Sequence, residues 1–101
     1  MIKFQIESKL EKKIRITEDY WKILIEIKHP SIADYEEEIK NTLINPDEIR
    51  RSRRDRDIYL YYQLINKFHL CVIAKHLDGE GFIITAYWTE KIKEGEIIWT
   101  K

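Results

Sequence analysis

The chain predicts an α+β domain in which an N-terminal strand pair and two helices pack on one face of a four-stranded antiparallel sheet. Three observations predict it. Apolar residues alternate at period two at the start of the chain. They recur at helical spacing in the middle, and they return to period two over most of the second half.

Ile2, Phe4 and Ile6 alternate with Lys3, Gln5 and Glu7, which reads as a strand. The polar stretch Ser8 to Lys12 turns the chain into a second short strand around Lys13 to Ile16, although no Gly or Pro marks that turn. Thr17 is an N-cap, and Glu18 and Asp19 suit the positive end of a helix dipole. Tyr20, Trp21, Ile23, Leu24 and Ile27 then share one helical side, while the β-branched run Lys22 to Ile27 leaves a strand as the alternative. Pro30 ends the segment, because the residue before a proline is pushed out of helical angles.

In the second helix Ser31 and Asp34 form a capping-box-like pair, and Ile32, Tyr35, Ile39 and Leu43 mark one face. Asn45-Pro46-Asp47 stops it. Ile58, Leu60, Tyr62 and Leu64 next alternate with Tyr59, Tyr61 and Gln63, and Asn66-Lys67 turns the chain into Leu70 to Leu77. Asp78-Gly79-Glu80-Gly81 is a hairpin signal leading into Phe82 to Thr89. Ile92, Ile97, Ile98 and Trp99 form a final apolar edge.

At 101 residues there is room for one core, so residues 1–101 are a single domain. Hydrophobic residues make up 44%, enough to bury an interior and exclude disorder. Lys and Arg total 18 and Asp and Glu total 18, so any anion site must be local rather than a bulk field. One cysteine, Cys71, excludes an internal disulfide and, with three scattered His, predicts no metal site and no cofactor. No signal peptide and no span of membrane length is visible, so a cytoplasmic protein without a membrane partner is expected.

The densest chemical feature is Arg50-Arg51-Ser52-Arg53-Arg54-Asp55-Arg56, five guanidiniums in seven residues. The planar donor fork of Arg suits phosphate, and the competing reading is an edge strand guarded by charge. If Ile49 faces the helices, Arg50, Ser52 and Arg54 share the opposite face. His29, at the break before Pro30, is either an acid/base group or a polar junction residue. Thr85, Tyr87 and Thr89 lie on one side of a strand whose other side is Phe82, Ile84, Ala86 and Trp88. The same parity brings Lys75 to the hydroxyl face. His69 and His76 read as surface or turn residues that could join a site, and Tyr59, Tyr61 and Tyr62 as base-stacking surface or cross-strand packing.

His29-Pro30, Ile39 to Leu43, Asn45-Pro46-Asp47-Glu48-Ile49-Arg50, Tyr61-Tyr62 and Ile84-Thr85-Ala86-Tyr87, taken in that order and spacing, resemble the phage-type members of the Barnase–EndoU–colicin–RelE nuclease superfamily. The resemblance implies helices on a four-stranded antiparallel sheet, metal-independent RNA cleavage by 2′-hydroxyl attack, and toxins neutralised by a small antitoxin protein. Carried onto this chain, it makes His29 the acid/base group. Arg50 and Arg54 would stabilise the transition state, and Thr85 and Tyr87 would position the phosphate. Arg51, Arg53, Tyr61 and Lys75 would bind RNA substrate. The competing functions are a non-catalytic RNA- or protein-binding module using the Arg50–Arg56 run, and an inactive relative kept as an interaction domain.

Overall fold

The computed structural model describes residues 1–92 and 94–101. In chain order the elements are β1 (Ile2–Glu7), β2 (Lys13–Thr17), α1 (Glu18–Ile23), α2 (Glu36–Ile44), β3 (Glu48–Arg51), β4 (Ile58–Ile65), β5 (Phe68–His76), β6 (Glu80–Thr89) and β7 (Glu96–Thr100). The sheet has seven strands, not four, in the order β1-β2-β6-β5-β4-β3-β7. Nor is it wholly antiparallel, because β2 runs parallel to β6. The expected four-stranded antiparallel sheet is thus corrected to a seven-stranded mixed one. The N-terminal hairpin is part of that sheet, and both Glu48–Arg51 and the C-terminal tail add strands to it.

The parallel junction depends on a missing side chain. Ile14 of β2 lies in register with Gly81 of β6. A Cβ on Gly81 would stand 2.2 Å from the Lys75 carbonyl oxygen and 2.9 Å from Ile14 Cδ1. Only glycine lets both β5 and the hairpin approach β6 this closely. Hydrophobic periodicity carries no trace of this docking.

Thr17 caps α1 as expected, its hydroxyl accepting from the Tyr20 amide at 3.1 Å. The segment Lys22–Ile27 is helical rather than extended. α1 continues into a π-helical turn over Leu24–Lys28, closed by His29 N–H donating to Leu24 O at 2.7 Å. Packing decides this outcome: Trp21 and Leu24 are buried in the core, while Ile27 is left 76% exposed. Ser31 does not cap the second helix. It sits in a 3₁₀ turn over Pro30–Ile32, and α2 begins later, at Glu36. Ile32, Ile39 and Leu43 are nevertheless buried as their spacing predicts.

One core lies between these helical segments and the sheet. It joins Phe4, Ile14 and Ile16 to Trp21, Leu24, Ile39 and Leu43 and to Tyr61, Leu70, Val72, Ala74, Ile83 and Ala86. The β5–β6 register shifts between Ile73 and Ala74, so Thr85 pairs with Ile73 while Ile83 pairs with Ala74. This bulge corrects the expected inward face of β6. Ile83 enters the core and Phe82 is exposed, whereas Ala86 stays inside.

Candidate active site

The residues named from the sequence fall into separate places. On the sheet face away from the helices, Arg50, Leu60, Ile73 and Thr85 form one cross-strand row. Three strand spacings therefore separate Arg50 from Thr85, about 14 Å. The ground between them is apolar: Leu60, Tyr62 and Cys71 are buried there, with Ile73, Tyr87 and Ile92 packed against them. Burial pushes the Cys71 thiol up to about 12 and raises the Tyr87 phenol above its ordinary range. Thr85 Oγ1 is buried without a hydrogen-bond partner among the described residues.

His29 and Tyr87 do meet, with ring centroids 5.7 Å apart. Arg50 is instead paired with Glu48, and Lys75 Nζ lies 3.3 Å from Asp55. Arg53 and Arg54 are exposed beyond the end of β3. A phosphate could not touch Arg50, Lys75, Thr85 and His29 together on this face.

The structure gathers a different set at the end of the helix-facing side. Parity along β5 places His76 on the same face as Leu70, Val72 and Ala74, and parity along β4 aligns Tyr59 with Tyr61. Arg51, the last residue of β3, pairs in register with Tyr59. The tight connection between β1 and β2 contributes Ser8 and Lys12, with Ser8 N–H donating to Lys12 O at 2.8 Å. Lys12, Arg51, Asp57, Tyr59, His76, Leu77 and Asp78 line an open cleft of about 440 Å³.

The geometry of this cleft is well defined. The Tyr59 ring stacks on the His76 imidazole with centroids 3.8 Å apart and planes 13° from parallel. Arg51 Nε donates to the Tyr59 hydroxyl at 3.0 Å, and the guanidinium also lies over the Tyr59 ring, 5.1 Å from its centroid. Behind His76, Nε2 lies 2.9 Å from the buried Tyr61 hydroxyl, which lies 2.9 Å from Ser8 Oγ. His76 is only 6% exposed. Burial, with the positive charges of Lys12 and Arg51 adding to it, pulls its pKa down to about 4. The imidazole is therefore neutral at neutral pH. Burial also holds the Tyr61 phenol protonated by raising its pKa.

Of the residues named from sequence, Arg51 and Tyr61 belong to this cluster. Lys12 and Ser8 were missed as site residues; Tyr59 was read as stacking surface or cross-strand packing, and His76 as a surface or turn residue, whereas it is buried. A signal for His76 did exist: it continues the inward parity of Leu70, Val72 and Ala74, and an inward imidazole needs a polar partner. Two further cavities are mainly apolar. One of about 380 Å³ between β2 and β6 contains Arg15, already paired with Glu80 at 2.9 Å. Another of about 310 Å³ is lined by Tyr35, Ile65, Asn66, Phe68 and Trp88.

Among the described residues no three His, Cys, Asp or Glu side chains converge as a metal-binding group, and no helix is long and apolar enough to cross a membrane. Compared with protein-family models, curated proteins and solved structures, the chain matches none of them.

Proposed function

We propose that this chain is a metal-independent endoribonuclease, the toxin of a toxin–antitoxin pair, with its catalytic centre in the Lys12–Arg51–Tyr59–His76 cleft. One observation carries the reading: a neutral, rigidly held imidazole shares an open cleft with two cations and an aromatic ring. Cleavage through the ribose 2′-hydroxyl needs a group that accepts its proton and cations that take up charge on the phosphorane. His76 fills the first role, and Arg51 and Lys12 fill the second. Tyr59 offers a face for a base. The toxin role and the small antitoxin partner follow from the family resemblance of the His29–Pro30 to Tyr87 motifs.

The test is incubation of purified protein with total and ribosome-bound RNA in excess EDTA, beside His76→Gln, Arg51→Ala and His29→Ala. Loss of cleavage by about 10²-fold or more in the first two, with His29→Ala active, places catalysis in the cleft. Loss in His29→Ala alone moves the centre to the His29–Tyr87 contact. Failure of the wild type to cleave any RNA rejects the enzyme.

One observation favours a second reading, a non-catalytic RNA- or protein-binding module. Arg53, Arg54 and Arg56 project as exposed side chains from the connection between β3 and β4. Salt-sensitive RNA binding without product would support it.

A further inference from the structure

We propose that Tyr61 and Ser8 are positioning residues that hold the His76 imidazole as its Nε2–H tautomer, so that Nδ1 takes the proton from the substrate's 2′-hydroxyl. The second half rests on the ribonuclease reading; the hydrogen-bond order does not.

The argument follows the protons inward from the cleft. His76 offers two ring nitrogens, and Nε2 is committed to the Tyr61 hydroxyl at 2.9 Å. That hydroxyl has one proton to give, to Ser8 Oγ or to His76 Nε2, each 2.9 Å away, and the cations beside the ring favour the first. Its oxygen is then an acceptor towards His76, so Nε2 carries the hydrogen. Ser8 is itself fixed, because its amide donates to Lys12 O at 2.8 Å and its Oγ also accepts from Lys12 N–H at 3.4 Å. Tyr61 is fully buried and cannot swing away without opening the core.

The cleft supplies the reason for this order. Nδ1 has no hydrogen-bond partner among the described residues and is not a buried orphan, so it meets the cleft. The charged groups around it are Lys12 from the β1–β2 connection, Arg51 from β3, and Asp57 and Asp78 from the connections flanking β4 and β5. Lys12 and Arg51 act on the ring as positive charges. A lone pair faces them more favourably than an N–H bond.

The chemistry balances on this arrangement. Nδ1 removes the 2′-hydroxyl proton, the 2′-oxygen forms its bond to phosphorus, and the phosphorus–O5′ bond breaks. The 5′-oxygen takes a proton from water, and the imidazolium returns its own to solvent. A bound phosphodiester offsets the charges of Lys12 and Arg51, making the protonated ring easier to form in the complex than in the free protein.

The test is long-range proton–nitrogen correlation NMR of the ¹⁵N-labelled protein at neutral pH, with RNA cleavage measured on the same samples. The wild type is expected to show a protonated Nε2 and a bare Nδ1. In Ser8→Ala the Tyr61 hydroxyl loses its acceptor and turns to Nε2, switching the ring to Nδ1–H. Its kcat is expected to fall by about 10- to 100-fold with KM unchanged, within the range for general base catalysis. Tyr61→Phe, which keeps the ring in the core, is expected to give both tautomers. An Nδ1–H ring in the wild type overturns the proposal whatever the activity. An unchanged tautomer and kcat in Ser8→Ala overturns the positioning role. The expected tautomers without wild-type cleavage support the hydrogen-bond order and overturn Nδ1 as the base, together with the ribonuclease reading.

Discussion

The Tyr59 phenol ring lies flat on the His76 imidazole, 3.8 Å between centroids, and so forms the lid that keeps water from one face of the ring. Its hydroxyl also holds Arg51 against the same cleft. One side chain thus sets both the polarity around the imidazole and the place of the nearest guanidinium.

Removing that lid should change how His76 titrates. In Tyr59→Leu the ring regains solvent, and its pKa should climb from about 4 towards the 6.5 of an ordinary histidine. An NMR titration of the His76 ring protons measures this. A value that stays near 4 would show that Tyr59 does not provide the burial.

The same imidazole makes stability depend on pH. Its folded-state pKa of about 4 lies below the 6.5 of an unperturbed histidine, so the unfolded chain binds the proton more readily. Stability is therefore full above pH 6.5 and is lost as pH falls to about 4, where the contribution levels off. The loss amounts to about 3 kcal/mol from the size of the shift. Denaturant unfolding of the wild type and His76→Gln between these limits checks it. The variant should lack this part of the slope.

Two arginines three residues apart in the Arg50–Arg56 run should behave differently. Arg51 lines the cleft, whereas Arg54 is exposed on the connection between β3 and β4. Arg51→Ala should lower kcat for RNA by about 10²–10³-fold. Arg54→Ala should leave kcat alone and reduce the salt slope of RNA binding by about one. The reverse pattern would place the working cation on the connection.

The packing of β6 between β5 and β2 should be strained if Gly81 acquires a side chain. In Gly81→Ala the new methyl meets the Lys75 carbonyl at 2.2 Å, a backbone contact that cannot rotate away. The expected cost is about 1–3 kcal/mol or more, as for overpacked sites. For a domain of this size that lowers Tm by at least about 5 °C in a calorimetric melt. An unchanged Tm would mean that the sheet does not depend on close approach at this position.

The sequence by itself determined the class α+β, the Thr17 cap and the buried spacing of Ile32, Ile39 and Leu43. It also determined the turns at Asn66 and Gly79, both at positive φ. All of these are local, because a cap, a helical stripe or a turn residue acts over a few positions. Tertiary structure alone decided that the hairpin joins β6 in parallel, that the tail pairs with β3, and that the β5–β6 bulge moves Ile83 inward. Parity can assign a face to Thr85 and Arg50, but it cannot count the strands between them. For the same reason the sequence put its candidate residues on one face without showing the apolar ground that divides them. His76 joins Tyr61, Ser8, Lys12 and Arg51 only because four separate segments meet at one end of the sheet, and such long-range convergence leaves no periodic mark in the chain.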